Sequence, residues 1–189
     1  MSGAKSIYTV SKCKKLVPGW TLPAFKEEAL AVHAEVCALL AAGDRTGLRQ
    51  LVTPAVYSDM KRQLRQREDG GWARVEWALA APVALADAEV CHGRLILADP
   101  KDDNTGFAQL TVRIPSRQRF SAYDRRGRLV AGSPTAPPLD VQDFWVFERP
   151  LRRQASNRWR LAGRLTVPAP GDAAAAAAAP AAAVVKAAG

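Results

Sequence analysis

Between Leu22 and Leu64 the apolar positions recur every three or four residues. Phe25, Ala29, Val32, Val36 and Leu39/Leu40 follow a 4-3-4-3 spacing, which predicts a helix with one buried face. Thr21 suits its N-cap, Pro23 its first turn, and Glu27 and Glu28 the positive end of its dipole. Gly43 stops it. Asp44 is placed to cap a short second helix carrying Leu48 and Leu51. Thr53-Pro54 starts a third, with proline at the first helical position. Val56, Tyr57, Met60 and Leu64 form its apolar side, and Lys61, Arg62, Arg65 and Arg67 fill the other; Gly70-Gly71 ends it.

From Trp72 the period falls to two. Strands are predicted over 72–80, 83–98, 106–115, 117–123, 127–131, 140–149 and 157–167. The last is the clearest: Trp159, Leu161, Gly163 and Leu165 alternate with Arg158, Arg160, Ala162 and Arg164, one row for a core and one basic stripe. Residues 99–106, 132–139 and 150–157 read as turns and loops. Helices followed by a run of antiparallel strands predict an α+β fold, the sheet curling round the long helix. Residues 1–20 read as a basic extended arm and not as an amphipathic helix, since Pro18 and Gly19 interrupt them. Residues 21–167 read as the domain, and 168–189 as an alanine-rich tail without an amphipathic face.

Composition changes the picture in two places. The hydrophobic fraction of 48% is inflated by the alanine tail, and the longest apolar stretches fall well short of the roughly 20 residues of a membrane span. Three dispersed cysteines and two histidines offer neither a disulfide framework nor a zinc site, so no metal or other cofactor is expected. Reduced thiols fit the cytosol, a bacterial interior or an organelle matrix.

Charge says more. Twenty-seven Lys and Arg against 18 Asp and Glu leave a formal +9, and the excess is blocked. Lys5, Lys12, Lys14 and Lys15 have no acid near them in residues 1–20. Residues 113–128 hold Arg113, Arg117, Arg119, Arg125, Arg126 and Arg128 against Asp124. Residues 149–164 hold Arg149, Arg152, Arg153, Arg158, Arg160 and Arg164 with no acid. Arginine presents a planar fork to phosphate, so these clusters are the candidate contacts to RNA or to an anionic membrane. For catalysis, Asp87, Glu89, His92 and Asp99 lie on or near strands, and His33 falls between apolar helix positions as a core or boundary histidine. No Ser/His/Asp order, phosphate loop or metal spacing accompanies them, so neither an enzyme nor a small-molecule substrate is expected.

Three stretches carry a resemblance: Phe25 through Gly43-Asp44, Leu51-Val52-Thr53-Pro54 with Tyr57, and the pair Trp145-Val146-Phe147-Glu148-Arg149 and Arg158-Trp159-Arg160-Leu161-Ala162-Gly163-Arg164-Leu165. Together they resemble the Tim44-like domain superfamily over about residues 21–167, and within it a mitochondrial large-ribosomal-subunit branch. The chain departs from the animal members in its short arm and alanine tail. The resemblance implies a cone-shaped NTF2-like fold, helices on a curved antiparallel sheet. It also implies a structural place on the mitochondrial large ribosomal subunit near the polypeptide exit. The partners would be ribosomal RNA, neighbouring large-subunit proteins, and the inner membrane's anionic lipid or an insertase. Localisation would be the mitochondrial matrix, peripheral to the inner membrane. The alternative is a membrane-peripheral Tim44-like subunit of a protein translocase or insertase.

Overall fold

A computed structural model describes residues 4–99, 102–151 and 158–166. Four helices come first: α1 (Ala4–Leu16), α2 (Leu22–Ala42), α3 (Arg45–Leu51) and α4 (Pro54–Asp69). Six antiparallel strands follow: β1 (Arg74–Leu79), β2 (Glu89–Asp99), β3 (Asp102–Tyr123), β4 (Leu129–Gly132), β5 (Leu139–Pro150) and β6 (Arg160–Leu165). The α+β class expected from the periodicities is the one observed.

The helix starts follow local chemistry. Thr21 Oγ1 accepts the Ala24 N–H at 3.2 Å, and the Asp44 carboxylate accepts those of Thr46 and Gly47 at 2.9 and 3.0 Å. These bonds satisfy N–H groups that a helix cannot pair internally. Phe25, Ala29, Val32, Val36 and Leu40 are buried along α2, and Val56, Met60 and Leu64 along α4. Each large side chain so buried contributes about 1.5–3 kcal/mol.

The sheet is organised by β3, 22 residues long. On one side it pairs with β2 through Arg113 and then with β1 from Gln118; on the other it pairs with β5 and, past Gln118, with β4. The predicted strands 106–115 and 117–123 are therefore one. Pro115 sits in the gap between β2 and β1, so its missing N–H interrupts no ladder on that side. The predicted strand from 83 begins only at Glu89, residues 80–88 forming a loop. The predicted turn at 99–106 is tighter, with Asp99 already opposite Asp102. The predicted loop at 132–139 falls between β4 and β5 as expected; Pro150 still belongs to β5, and residues 152–157 of the second predicted loop lie outside the described residues.

The expected extended arm is corrected. Residues 4–16 are helical and dock on the sheet, with Ser6, Thr9, Val10, Cys13 and Val17 buried. That face is built of small and polar residues, which is why hydropathy did not mark it. They let the helix approach closely at Gly93: a Cβ there would lie 3.0 Å from Leu110, 3.2 Å from Thr9 and 3.3 Å from Ser6. The Gly93 N–H donates to Ser6 Oγ at 2.9 Å. Trp20 then closes the entry to α2, stacked on Phe25, whose ring lies 4.5 Å from Trp159.

Candidate nucleic-acid interface

The fold sorts the basic clusters by sheet face and by sheet end. The β5–β6 register contains a bulge: Val146 faces Gly163, but Phe147 faces Leu161, leaving Ala162 as the extra residue. The bulge reverses the alternation. Arg164 stands opposite the buried Trp145 on the helix-covered face, while Leu165 is turned out and half exposed. Arg164 therefore does not share a stripe with Arg158 and Arg160. It lies within electrostatic reach of Cys37, Asp143 and Asp59, and burial pulls its guanidinium below the ordinary pKa. Arg67 is likewise turned inward. It donates to the Leu40 carbonyl at 2.9 Å, with its pKa lowered by burial and then by Arg164. Of its helical neighbours, Arg62 pairs with Asp59, while Lys61 and Arg65 are exposed.

Strand pairing also supplies acids that the linear sequence hides. Arg160 lies opposite Glu148, at the end of a row in which Arg94 donates to Gln109 at 2.8 Å and Gln109 to Glu148 at 2.7 Å. In the 113–128 cluster, Arg113 pairs with Glu89, Arg117 with Asp140 and Arg128 with Asp124. Arg119 donates to the Ala136 carbonyl at 3.2 Å. Arg125 and Arg126 remain, exposed in the β3–β4 turn. Asp124 builds that turn by accepting the N–H groups of Arg126 and Arg128 and the Arg128 side chain, and these bonds hold its pKa low.

Toward the opposite end of β3, α1 lies on β2 and β3. Cys13 of α1 feels the charge of Arg149 at the end of β5, and Trp20, between α1 and α2, stacks on Phe25 of α2, which packs on Trp159 just before β6. Lys14 and Lys15 are exposed on this helix, and Arg158 is exposed just before β6. Among the described residues none of these three makes a side-chain ion pair. Arg149 is partly buried, with its Nε unpartnered. Lys12 sits over the Tyr8 ring, 5.6 Å from its centroid. Arg152 and Arg153 lie outside the described residues. The N-terminal cluster thus comes within electrostatic reach of Arg149, the first arginine of the 149–164 cluster, although the two lie far apart in sequence.

The weak catalytic candidates do not converge. Glu89 is paired with Arg113, His92 is exposed, and Asp87 lies on the loop lining a cleft of about 730 Å³, beside Val83, Pro115 and Arg117. Asp99 ends β2 next to the hairpin. His33 is fully buried. Its Nε2 donates to Asp143 at 2.9 Å and its ring lies 4.5 Å from Trp145, while Gln118 bridges Asp143, Ser116 and Trp77. Cys37 follows His33 by one helical turn, but burial and then Asp143 push its thiol up to about 12, the opposite of an activated nucleophile. This group does not line that cleft, and no cluster of three metal-ligating side chains occurs among the described residues.

Helices laid on an open antiparallel sheet define an α+β domain. The chain belongs to the Tim44-like family, whose domain matches residues 8–165 and so takes in most of α1. Its relatives include the large ribosomal subunit protein mL45 of Drosophila melanogaster, 27% identical over 162 residues, or 86% of this chain and 42% of the fly protein. The mL45 of Xenopus tropicalis is 31% identical over 165 residues, 86% of this chain and 48% of the frog protein. That of Bos taurus is 28% identical over 160 residues, 85% and 48%. The chain spans about half the length of these relatives. Among the described residues no helix is long and apolar enough to cross a membrane.

Proposed function

We propose that this chain is the Tim44-like part of a structural protein of the mitochondrial large ribosomal subunit, without catalytic activity. It sits in the matrix near the polypeptide exit and helps hold the ribosome at the inner membrane. The observation that carries this reading is the kinship with mL45 proteins along some six-sevenths of the chain. The geometry adds a mechanism. In this reading Lys14, Lys15, Arg158 and the partly buried Arg149 are the RNA contacts, with Arg152 and Arg153 following Arg149 in sequence. Ribosomal RNA binds there through its phosphates. Contacts of this kind release counterions, so affinity falls steeply with salt.

The test is RNA binding by the full chain across a salt series. Replacing Lys14, Lys15 and Arg158 together by Gln reduces the slope of log K against log salt by about two to three and leaves thermal stability unchanged. An unaltered slope would remove this end from the RNA contact. A chain that binds no RNA but floats with acidic vesicles would favour the translocase or insertase subunit.

A further inference from the structure

We propose that the tip of the β3–β4 hairpin is a second contact, separate from the RNA-facing end, and that its partner is an anionic lipid bilayer. The proposal rests on the reading above only in supposing that a membrane is at hand. Its basis is the chemistry of six consecutive residues, Arg125-Arg126-Gly127-Arg128-Leu129-Val130.

The turn is built so that two cations are left over. Asp124 Oδ1 accepts the Arg126 N–H at 2.8 Å and the Arg128 N–H at 3.0 Å, and its Oδ2 accepts Arg128 Nε at 2.7 Å. The Gly127 N–H donates to the Asp124 carbonyl at 3.0 Å, and Gly127 takes the left-handed conformation, φ 76°, that the reversal requires. One carboxylate is thereby matched by one arginine. The guanidiniums of Arg125 and Arg126 carry the tip's remaining charge, on a backbone already fixed in place.

The next two residues decide the partner. Leu129 is 47% exposed and Val130 45%. Strict alternation would turn one of them inward, but the β3–β4 register shifts between Ala122 and Tyr123: Ala122 faces Ala131 and Tyr123 faces Leu129. Val130 is the extra residue of a bulge, and a bulge re-aims its side chain. Two adjacent aliphatic side chains therefore point into solvent beside two uncommitted guanidiniums. RNA phosphates would use the arginines and leave the aliphatics wet. A bilayer interface uses both: lipid phosphates meet the guanidiniums, and the acyl boundary accepts the leucine and valine. The other end of β3 also carries an adjacent aliphatic pair, Ile96 and Leu97 of β2, but less exposed, at 39% and 36%. The surfaces that compete for this role are α1, where Ile7 is 63% exposed, and the end of β2 with Ile96 and Leu97.

The experiment is flotation of the purified full chain with vesicles of phosphatidylcholine containing a minority of phosphatidylglycerol, against vesicles of phosphatidylcholine alone. Three variants are compared: R125Q/R126Q, L129S/V130S, and the α1 control I7S/K14Q/K15Q. All changes are on exposed side chains, and unchanged circular dichroism confirms folding. The expected result is binding to the anionic vesicles only, weakened about 30-fold by R125Q/R126Q, clearly weakened by L129S/V130S, and kept by the α1 control. The proposal is overturned if the α1 control loses binding while the tip variants keep it. It is equally overturned if R125Q/R126Q weakens RNA binding and not flotation, which would make the tip an RNA contact. No ribosome enters the assay, so its failure leaves the ribosomal reading untouched.

Discussion

At the scale of single residues, the polar interior of the domain is structural. His33 fills space between Trp145 and Trp77 and ties α2 to β5 through Asp143. His33→Ala opens a cavity and strips Asp143 of a partner. The expected loss is about 2–4 kcal/mol, read as a lowered thermal midpoint. The buried thiols give a pH signature. Burial raises Cys13 to about 11, offset in part by Arg149; burial and Asp143 raise Cys37 to about 12. The unfolded chain releases these protons near the ordinary value of 9.0, whereas the folded chain retains them. Their contribution is complete below pH 9 and is lost as pH rises through the folded values. The urea midpoint should therefore fall between pH 9 and about 11, and a C13A/C37A variant should show a shallower fall. An equal fall in both would assign the alkaline sensitivity elsewhere.

At the scale of elements, the bulge at Ala162 separates two arginines that a period-two reading places together. Arg164→Glu puts a negative charge against Asp143 and Asp59 on the covered face, and should lower stability by at least about 2 kcal/mol. Arg158→Glu, on an exposed position, should leave stability within about 0.5 kcal/mol and weaken RNA binding instead. The reverse pattern would contradict the register. The helix α1 makes a related point. Gly93→Val adds a branched side chain where Leu110, Thr9 and Ser6 already stand within 3.3 Å of a Cβ, so it should push α1 off the sheet. Limited proteolysis near residue 17 reads that release. The large apolar faces of α2 and α4 were legible in the sequence because big hydrophobic side chains carry the period. α1 was not, because its buried face is Ser6, Thr9, Val10, Cys13 and Val17, where small size and not hydropathy does the packing. The bulge was invisible too, since it exists only in the pairing of β6 with β5.

At the scale of the molecule, the charge blocks were legible but their use was not. One run of lysines and two of arginines along the chain suggest three basic surfaces. Folding brings Glu89, Asp140 and Asp124 onto Arg113, Arg117 and Arg128, turns Arg164 inward, and brings α1 within electrostatic reach of Arg149. What remains exposed is Lys14, Lys15 and Arg158 on one side and Arg125 and Arg126 in the β3–β4 turn on the other. The central claim is membership of a mitochondrial large ribosomal subunit. The most direct measurement is sedimentation of a detergent-solubilised organelle lysate, with and without RNase, following this chain. The account predicts that it travels with the large subunit and is released by RNase. A chain that stays light in detergent, whether or not RNase is added, would contradict it.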